Sequence, residues 1–243
     1  KIRNRFAKKA GVYYFSHEVH DSMMACLACK SCTGSCPVKV DVPEFRSKFL
    51  ELYYSRYLRP SKDFFVGSLE KTLPLMASFP RSYNFAMKMG LSYCLDKALG
   101  MTDSPLLSTI DFDRELRKRD VYYTHNDYFK SLDAQDKKRS VIIVLDAFTR
   151  FFETELVLDT IDLIRKLGFV PWIAPFVANG KPLHVHGFRK EFGRIAQSTS
   201  DTLNDLAKTN ISLVGIEPSM TLAYRSEYTK VVANAPNVLL VQE

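Results

Sequence analysis

Four of the five cysteines fall within eleven residues, as Cys26-x2-Cys29-x2-Cys32-x3-Cys36 followed at once by Pro37. No other feature constrains the chain as strongly, because the spacing is set by reach. Three thiolates two residues apart lie on a tight loop around one small group, and the backbone N–H groups of that loop can point at its sulfurs. This is the ligand run of a cubane [4Fe-4S] cluster. Pro37 brings no N–H and a fixed φ, which turns the chain away after the fourth cysteine. Structural zinc sites pair two separated knuckles instead. A disulfide framework belongs to small oxidised domains, whereas this chain has 243 residues of which 46% are hydrophobic. Cys36 either closes a single site or serves a neighbouring cluster, since in two-cluster arrangements the fourth cysteine of such a run ligates the other cluster. Cys94 sits among apolar residues at helical spacing and is expected to be a buried structural cysteine.

Charge and thiols are unevenly spread. Residues 1–139 carry 24 Lys and Arg against 16 Asp and Glu, while residues 140–243 carry 10 against 11. All five cysteines lie in the first part. A bound cluster with four thiolates is an anion, so Lys30 and Lys39 beside the run have a reason to be basic. The shift suggests a boundary near residue 139, with domains at 1–139 and 140–243. The first reads as helical. Asp41 and Glu44 have the spacing of a capping box, and Phe45, Phe49 and Leu52 then mark an apolar helical face. Further helices are expected at 63–79 and 84–99, the second with Met87, Leu91, Cys94, Leu95 and Ala98 on one face. The charged stretch 111–120 reads as a solvated helical face.

After residue 139 the period changes. The run 141–145 is continuously apolar, as in a strand covered on both sides. Helices at 153–167, 188–208 and 221–232 then alternate with strands at 169–174, 211–216 and 238–241. That alternation predicts a parallel α/β layer, so the fold class expected is α+β overall, a helical domain followed by a parallel α/β domain. The opening lacks Met, and the end stops where a buried strand hands over to a loop. The chain therefore reads as a piece of a longer one, with its second domain truncated.

Other candidates are weaker. His184 and His186 read as a pair on an extended segment, either at the surface or behind the ligands of another site, without a third ligand of their own. Asn179-Gly180-Lys181 resembles a small anion-binding turn but lacks the phosphate-loop pattern. His17 and His20 either tune the cysteine run or pack beside it. A Gly-x-Gly-x-x-Gly motif and a nucleophile elbow are both absent from the sequence, so no Rossmann-type dinucleotide site and no catalytic residue are expected. No apolar run is long enough for a membrane-spanning helix, and no nucleic-acid-reading helix is recognisable.

The segment from Cys26 to Pro43, with the stretch 45–53 and Arg56-Tyr-Leu-Arg-Pro60, closely resembles the C-terminal iron–sulfur region of large bacterial FAD-linked oxidases of the D-2-hydroxyglutarate dehydrogenase type. The resemblance covers essentially the whole chain. It implies a helical ferredoxin-like domain whose metal ligands are Cys26, Cys29, Cys32 and Cys36. It also implies FAD on a preceding part of the same polypeptide, and a further upstream cysteine motif. Electrons from a 2-hydroxy acid such as D-2-hydroxyglutarate would pass from the flavin through the cluster to an unknown acceptor. The implied partners are the FAD-binding oxidase domains of the same chain, in a cytoplasmic setting with peripheral contact to the inner face of the membrane. The rival reading is a structural or docking module whose cluster only holds the fold. The second half is similar to the cysteine-rich CCG domain of heterodisulfide reductases. At that domain's cysteine positions this chain has Asp146-Ala147-Phe148, Ala178-Asn179-Gly180 and Pro218-Ser219-Met220. Every thiol is gone, so these places are expected to pack or to hydrogen-bond and to hold no cluster.

Overall fold

The computed structural model describes residues 15–38, 40–102, 104–125 and 127–232. Nine helices precede the first strand among them: α1 (Phe15–Met24), α2 (Ser31–Ser35), α3 (Val42–Tyr54), α4 (Ser61–Met76), α5 (Pro80–Ala86), α6 (Ser92–Leu99), α7 (Phe112–Lys118), α8 (Asp127–Lys130) and α9 (Ala134–Lys138). Strand β1 (Ser140–Val144) is followed by α10 (Ala147–Phe151), α11 (Thr154–Lys166), β2 (Val170–Ile173), α12 (Lys181–Val185), α13 (Arg189–Ala207), β3 (Ser212–Gly215) and α14 (Pro218–Ser226). The fold is α+β with a parallel α/β layer. Contacts divide the chain into two units. One runs to Ser68 and takes in Gly180–Phe192; the other holds Leu69–Asn179 and the chain from Gly193 onward. The composition shift at residue 139 falls inside the second unit.

In the second unit the strand order is β2-β1-β3, all parallel, with Ile142 opposite both Trp172 and Leu213. The apolar run of β1 supplies fully buried Ile142 and Ile143. Val157, Leu158 and Ile161 of α11 pack with Ile143, Leu145 and Ile173 in one cluster; spacings of three and four residues bring them onto one face of α11. The charged stretch expected to be solvated joins the same core. Phe112 and Leu116, four apart on α7, are buried in it, while Asp111 caps the helix at Arg114 N. A single helix was expected at 84–99, but the chain is broken there. Gly90 takes φ +118 between α5 and α6, a conformation open to glycine. Cys94, on α6, is exposed, so its reading as a buried cysteine is corrected. Among the described strands β3 is an edge, and a cleft of about 440 Å³ lies beside it, lined in part by Val144, Leu203, Ile211, Tyr224 and Arg225. The expected strand at 238–241 lies outside the described residues.

In the first unit Asp41 caps α3, its side chain accepting from Glu44 N at 3.1 Å. The helix then buries an unexpected face. Phe45 and Leu52 are 51% and 58% exposed, whereas Glu44, Arg46, Ser47, Leu50 and Tyr53 are buried. The reason is a set of charged partners from the segment 180–192. Glu44, expected to turn back on its own cap, places its Oε2 3.0 Å from His184 Nε2 and accepts from Arg189 Nη1 on Oε1 at 2.9 Å. An ionised carboxylate only accepts, so Nε2 of His184 carries the proton. Lys48 adds an ion pair at 3.3 Å. His184 and His186 are not extended: Gly180 at φ +77 and Pro182 in the first turn start α12, which ends at Val185. His186 Nδ1 donates to Asp63 Oδ1 at 3.0 Å, and Arg59, paired with Asp63 at 3.7 Å, lies over the rings of Tyr54 and Phe188 and donates to the His186 carbonyl.

Two predictions follow from this packing. Burial would raise the pKa of Glu44, but the His184 hydrogen bond and the Arg189 charge outweigh it and hold the carboxyl at about 2 instead of 4.5. A carboxylate depressed on folding stabilises above its unfolded pKa and loses that contribution as pH falls through its folded one. Wild-type stability should therefore exceed that of Glu44→Gln by up to about 3 kcal/mol near neutrality. The gap should shrink between pH 4.5 and pH 2 in urea titrations run across that range; a pH-independent gap would contradict the assignment.

The second concerns Gly187, which has φ +72 and stands so close to α3 that a Cβ would lie 2.7 Å from Leu50 Cβ and 2.9 Å from Glu51 N. Backbone atoms cannot yield cheaply, so Gly187→Ala should cost about 2–4 kcal/mol. A denaturation midpoint equal to wild type would show that this approach is loose.

Candidate metal centre

The cysteine run lies between α1 and α3. Cys26 N–H donates to Met23 O at 3.1 Å, closing a turn off the end of α1. Ala28 and Lys30 then take left-handed φ values of +55 and +63. These are unusual for residues with side chains, and they fold the chain tightly between one cysteine and the next. The Ala28 N–H points back at a sulfur, donating to Cys26 Sγ at 3.4 Å. Cys32 lies in the one-turn helix α2, and Cys36 follows it directly, its N–H bonded to Cys32 O at 3.0 Å. Lys30 approaches Asp41 at 3.9 Å. Lys39 lies outside the described residues.

All five cysteines are free; Cys29 and Cys32 are exposed, Cys26 and Cys36 half-buried. The four sulfurs share one short segment without converging. Among the described residues no three His, Cys, Asp or Glu side chains gather as a bound metal ion requires. The chemistry of the donor set, and two orphaned polar atoms nearby, nevertheless fit an iron–sulfur cluster. Thiolates are the ligands such clusters take. Beside Cys32 the hydroxyl of Thr33 is buried with no partner, and the same is true of Arg46 Nε. Buried polar groups are normally satisfied, so both are donors available to an acceptor at this loop. If the cluster is bound, Cys26, Cys29 and Cys32 would hold it, with Cys36 completing it or serving a neighbour.

The two histidines near the run are packed. His20 stacks on Tyr53 with ring centroids 4.4 Å apart and meets the Tyr54 hydroxyl at 3.2 Å, while His17 Nδ1 meets the Tyr53 hydroxyl at 2.8 Å. They tie α1 to α3 and so fix where the cysteine loop starts. Sequence reasoning missed Arg46. Its signal was there: positions 46, 50 and 53 form a helical stripe, and the first of them is a cation. The turn Asn179-Gly180-Lys181 starts α12, and the histidine pair belongs to the ion network of the first unit.

The three positions singled out in the second half are hydrogen-bonded, and two of them, Asn179 and Met220, are bonded to each other. Asp146, after β1, caps α10 by accepting from Phe148 N and Thr149 N at 2.8 and 3.0 Å. Asn179 donates from its N–H to Glu70 and from Nδ2 to Met220 O at 3.2 Å, and its carbonyl accepts from Tyr228 at 2.7 Å. Thr199 donates to Ala178 O at 2.8 Å. Ala147, Asn179 and Met220 are all buried, and burial pushes the Tyr224 hydroxyl up to about 12.

Among the described residues no helix is long and apolar enough to cross a membrane. No family model matches the chain, and no solved structure matches it. Curated relatives do. The chain is 47% identical to D-2-hydroxyglutarate dehydrogenase of Pseudomonas putida and 41% identical to that of Escherichia coli, in each case over its whole length. It is 42% identical to the Haemophilus influenzae enzyme over 94% of its length. It spans about a quarter of these relatives, 24% of the first two and 22% of the third. Over essentially its whole length, the chain is thus homologous to the C-terminal part of enzymes of the D-2-hydroxyglutarate dehydrogenase type.

Proposed function

We propose that this chain is the electron-transfer portion of a larger FAD-linked oxidoreductase acting on a 2-hydroxy acid, with D-2-hydroxyglutarate the substrate named for its relatives. Cys26, Cys29 and Cys32 hold a [4Fe-4S] cluster, and Cys36 completes it or serves a second one. When bound, such a cluster takes up and passes on single electrons. The observation that carries the reading is the cysteine run on one short segment, with its ligand spacing, exposed thiols and an N–H already directed at Cys26 Sγ. Around the cluster the chain's own residues anchor and orient: α1 and α3 clamp the start of the loop through the histidine–tyrosine contacts, and α2 spaces Cys32 from Cys36.

FAD is carried by the rest of the polypeptide, whose FAD-binding part is the partner, and an acceptor outside it receives the electrons. Exposed Phe45, stacked near Phe49 with centroids 6.3 Å apart, and exposed Leu52 give α3 an apolar outer face suited to such a partner. Free thiols suit a reducing, cytoplasmic setting.

The test uses full-length protein prepared anaerobically. Wild type should contain iron and acid-labile sulfide, and its cluster should be reduced when the 2-hydroxy acid is added. Cys29→Ala should lose one cluster's iron together with its paramagnetic signal, whereas Cys94→Ala should lose neither. Unchanged iron and signal in Cys29→Ala would refute the ligand assignment. A cluster that is present but never reduced by substrate would mean that it serves only to hold the fold.

A further inference from the structure

The first unit contains a buried cation that, among the described residues, is paired with no carboxylate. Arg46 is 4% exposed, and among the described residues its guanidinium makes one hydrogen bond, from Nη1 to the carbonyl of Cys26 at 3.0 Å. Among the described residues its Nε has no partner, and no carboxylate there forms an ion pair with it. The buried carboxylates of this unit are occupied elsewhere. Glu44 is taken by His184, Arg189 and Lys48, and Asp63 by His186 and Arg59. Burial weakens the hold of Arg46 on its proton, and the nearby Cys26, then Asp63 and Tyr54, act in the opposite direction without pairing with it. An arginine nonetheless stays charged in a folded protein, and a charge buried without a partner is costly. Methionine or leucine would fill the same place more cheaply, and its neighbours on this stripe of α3 are Leu50 and Tyr53.

We infer that the missing counter-charge is the iron–sulfur centre, and that Arg46 is a positioning residue which fixes the Cys26 end of the loop and raises the cluster's reduction potential. The inference rests on the reading that these cysteines hold a cluster. Four thiolates around a cubane core leave a net negative charge, which grows by one on reduction. A fixed positive charge beside the first ligand stabilises the reduced state more than the oxidised one. Net charge and hydrogen bonding to the sulfurs are what set such potentials. Because the guanidinium does not titrate, its influence is the same across the pH range in which the protein is folded.

The experiment is a redox titration of the anaerobic full-length protein, following the paramagnetic signal that Cys29→Ala abolishes. Arg46→Met, of similar length and without charge, should make reduction at least about tenfold less favourable, a downward shift of about 59 mV or more for one electron. The offset should be equal at pH 6 and at pH 8, and Arg46→Lys should recover most of it. An unmoved potential in Arg46→Met with full iron would overturn the inference and leave the cluster reading standing. If Arg46→Met fails to retain iron, the lysine variant decides. Iron retained with lysine supports the counter-charge, whereas iron lost from both variants with unchanged circular dichroism shows that only the hydrogen bond to Cys26 O matters. Absence of iron from the wild type would refute the cluster reading, and this inference would fall with it.

Discussion

A single buried carboxylate organises the first unit. Glu44 sits in the first turn of α3 and accepts from His184 and Arg189, residues more than 130 positions further along the chain. Removing one side of such an arrangement leaves an uncompensated charge in the interior, at a cost of about 3–5 kcal/mol. The pairing therefore dictates how α3 is rotated. With Glu44 turned toward the segment 180–192, Ser47 and Leu50 face inward and meet Gly187, whose lack of a side chain permits the close approach. The same rotation takes Arg46 into the interior, against the carbonyl of Cys26. The carboxylate that seats α3 thus also brings the Arg46 guanidinium against the cysteine loop.

In the second unit hydrogen bonds fill the place where a parallel sheet offers a crevice. Strand order β2-β1-β3 reverses direction at β1, and in open parallel sheets the crevice at such a reversal, beyond the strands' carboxyl ends, is where ligands bind. The loops beyond these ends carry Ala147, Asn179 and Met220. Asn179 ties its own loop to Met220 and to Glu70, and Asp146 and Glu217 cap the helices that follow. Asn179 does the connecting because its backbone and side chain together offer several polar groups. One of them, Oδ1, is left without a partner.

Much of this was legible in the sequence, and the parts that were not share one physical cause. The β1 run, the spacing of α11 and the cysteine motif are local signals, and local signals survive without tertiary information: the three strands expected among the described residues appear to within a residue or two. The face of α3 was misread because counting apolar residues favours Phe45 and Leu52, while burial was decided by charges over 100 residues away. His184 and His186 were misread because Val185 between them suggests an extended segment. The helix there depends on the left-handed Gly180 and on Pro182 in the first turn, a start signal that is visible once it is looked for. Cys94 was misplaced because apolar neighbours at helical spacing do not show whether anything covers them; within this chain α6 leaves it exposed.

The cysteine loop is anchored at both of its ends, and this bears on how a cluster would be used. At Cys26 three hydrogen bonds act on one residue: its N–H to Met23, its carbonyl from Arg46, its sulfur from Ala28. Cys36 is fixed through its N–H to Cys32. The two central thiols are exposed. A loop rigid throughout would have paid its ordering entropy in advance but would close off the sulfurs to incoming iron. One free throughout would lose that entropy on loading and hold the cluster weakly. Anchoring the ends and leaving Cys29 and Cys32 open to solvent reconciles the two demands. On the proposed reading, the Arg46 side of the cluster is the one whose charge environment the protein controls, and the Cys29–Cys32 side is the one an electron partner can approach.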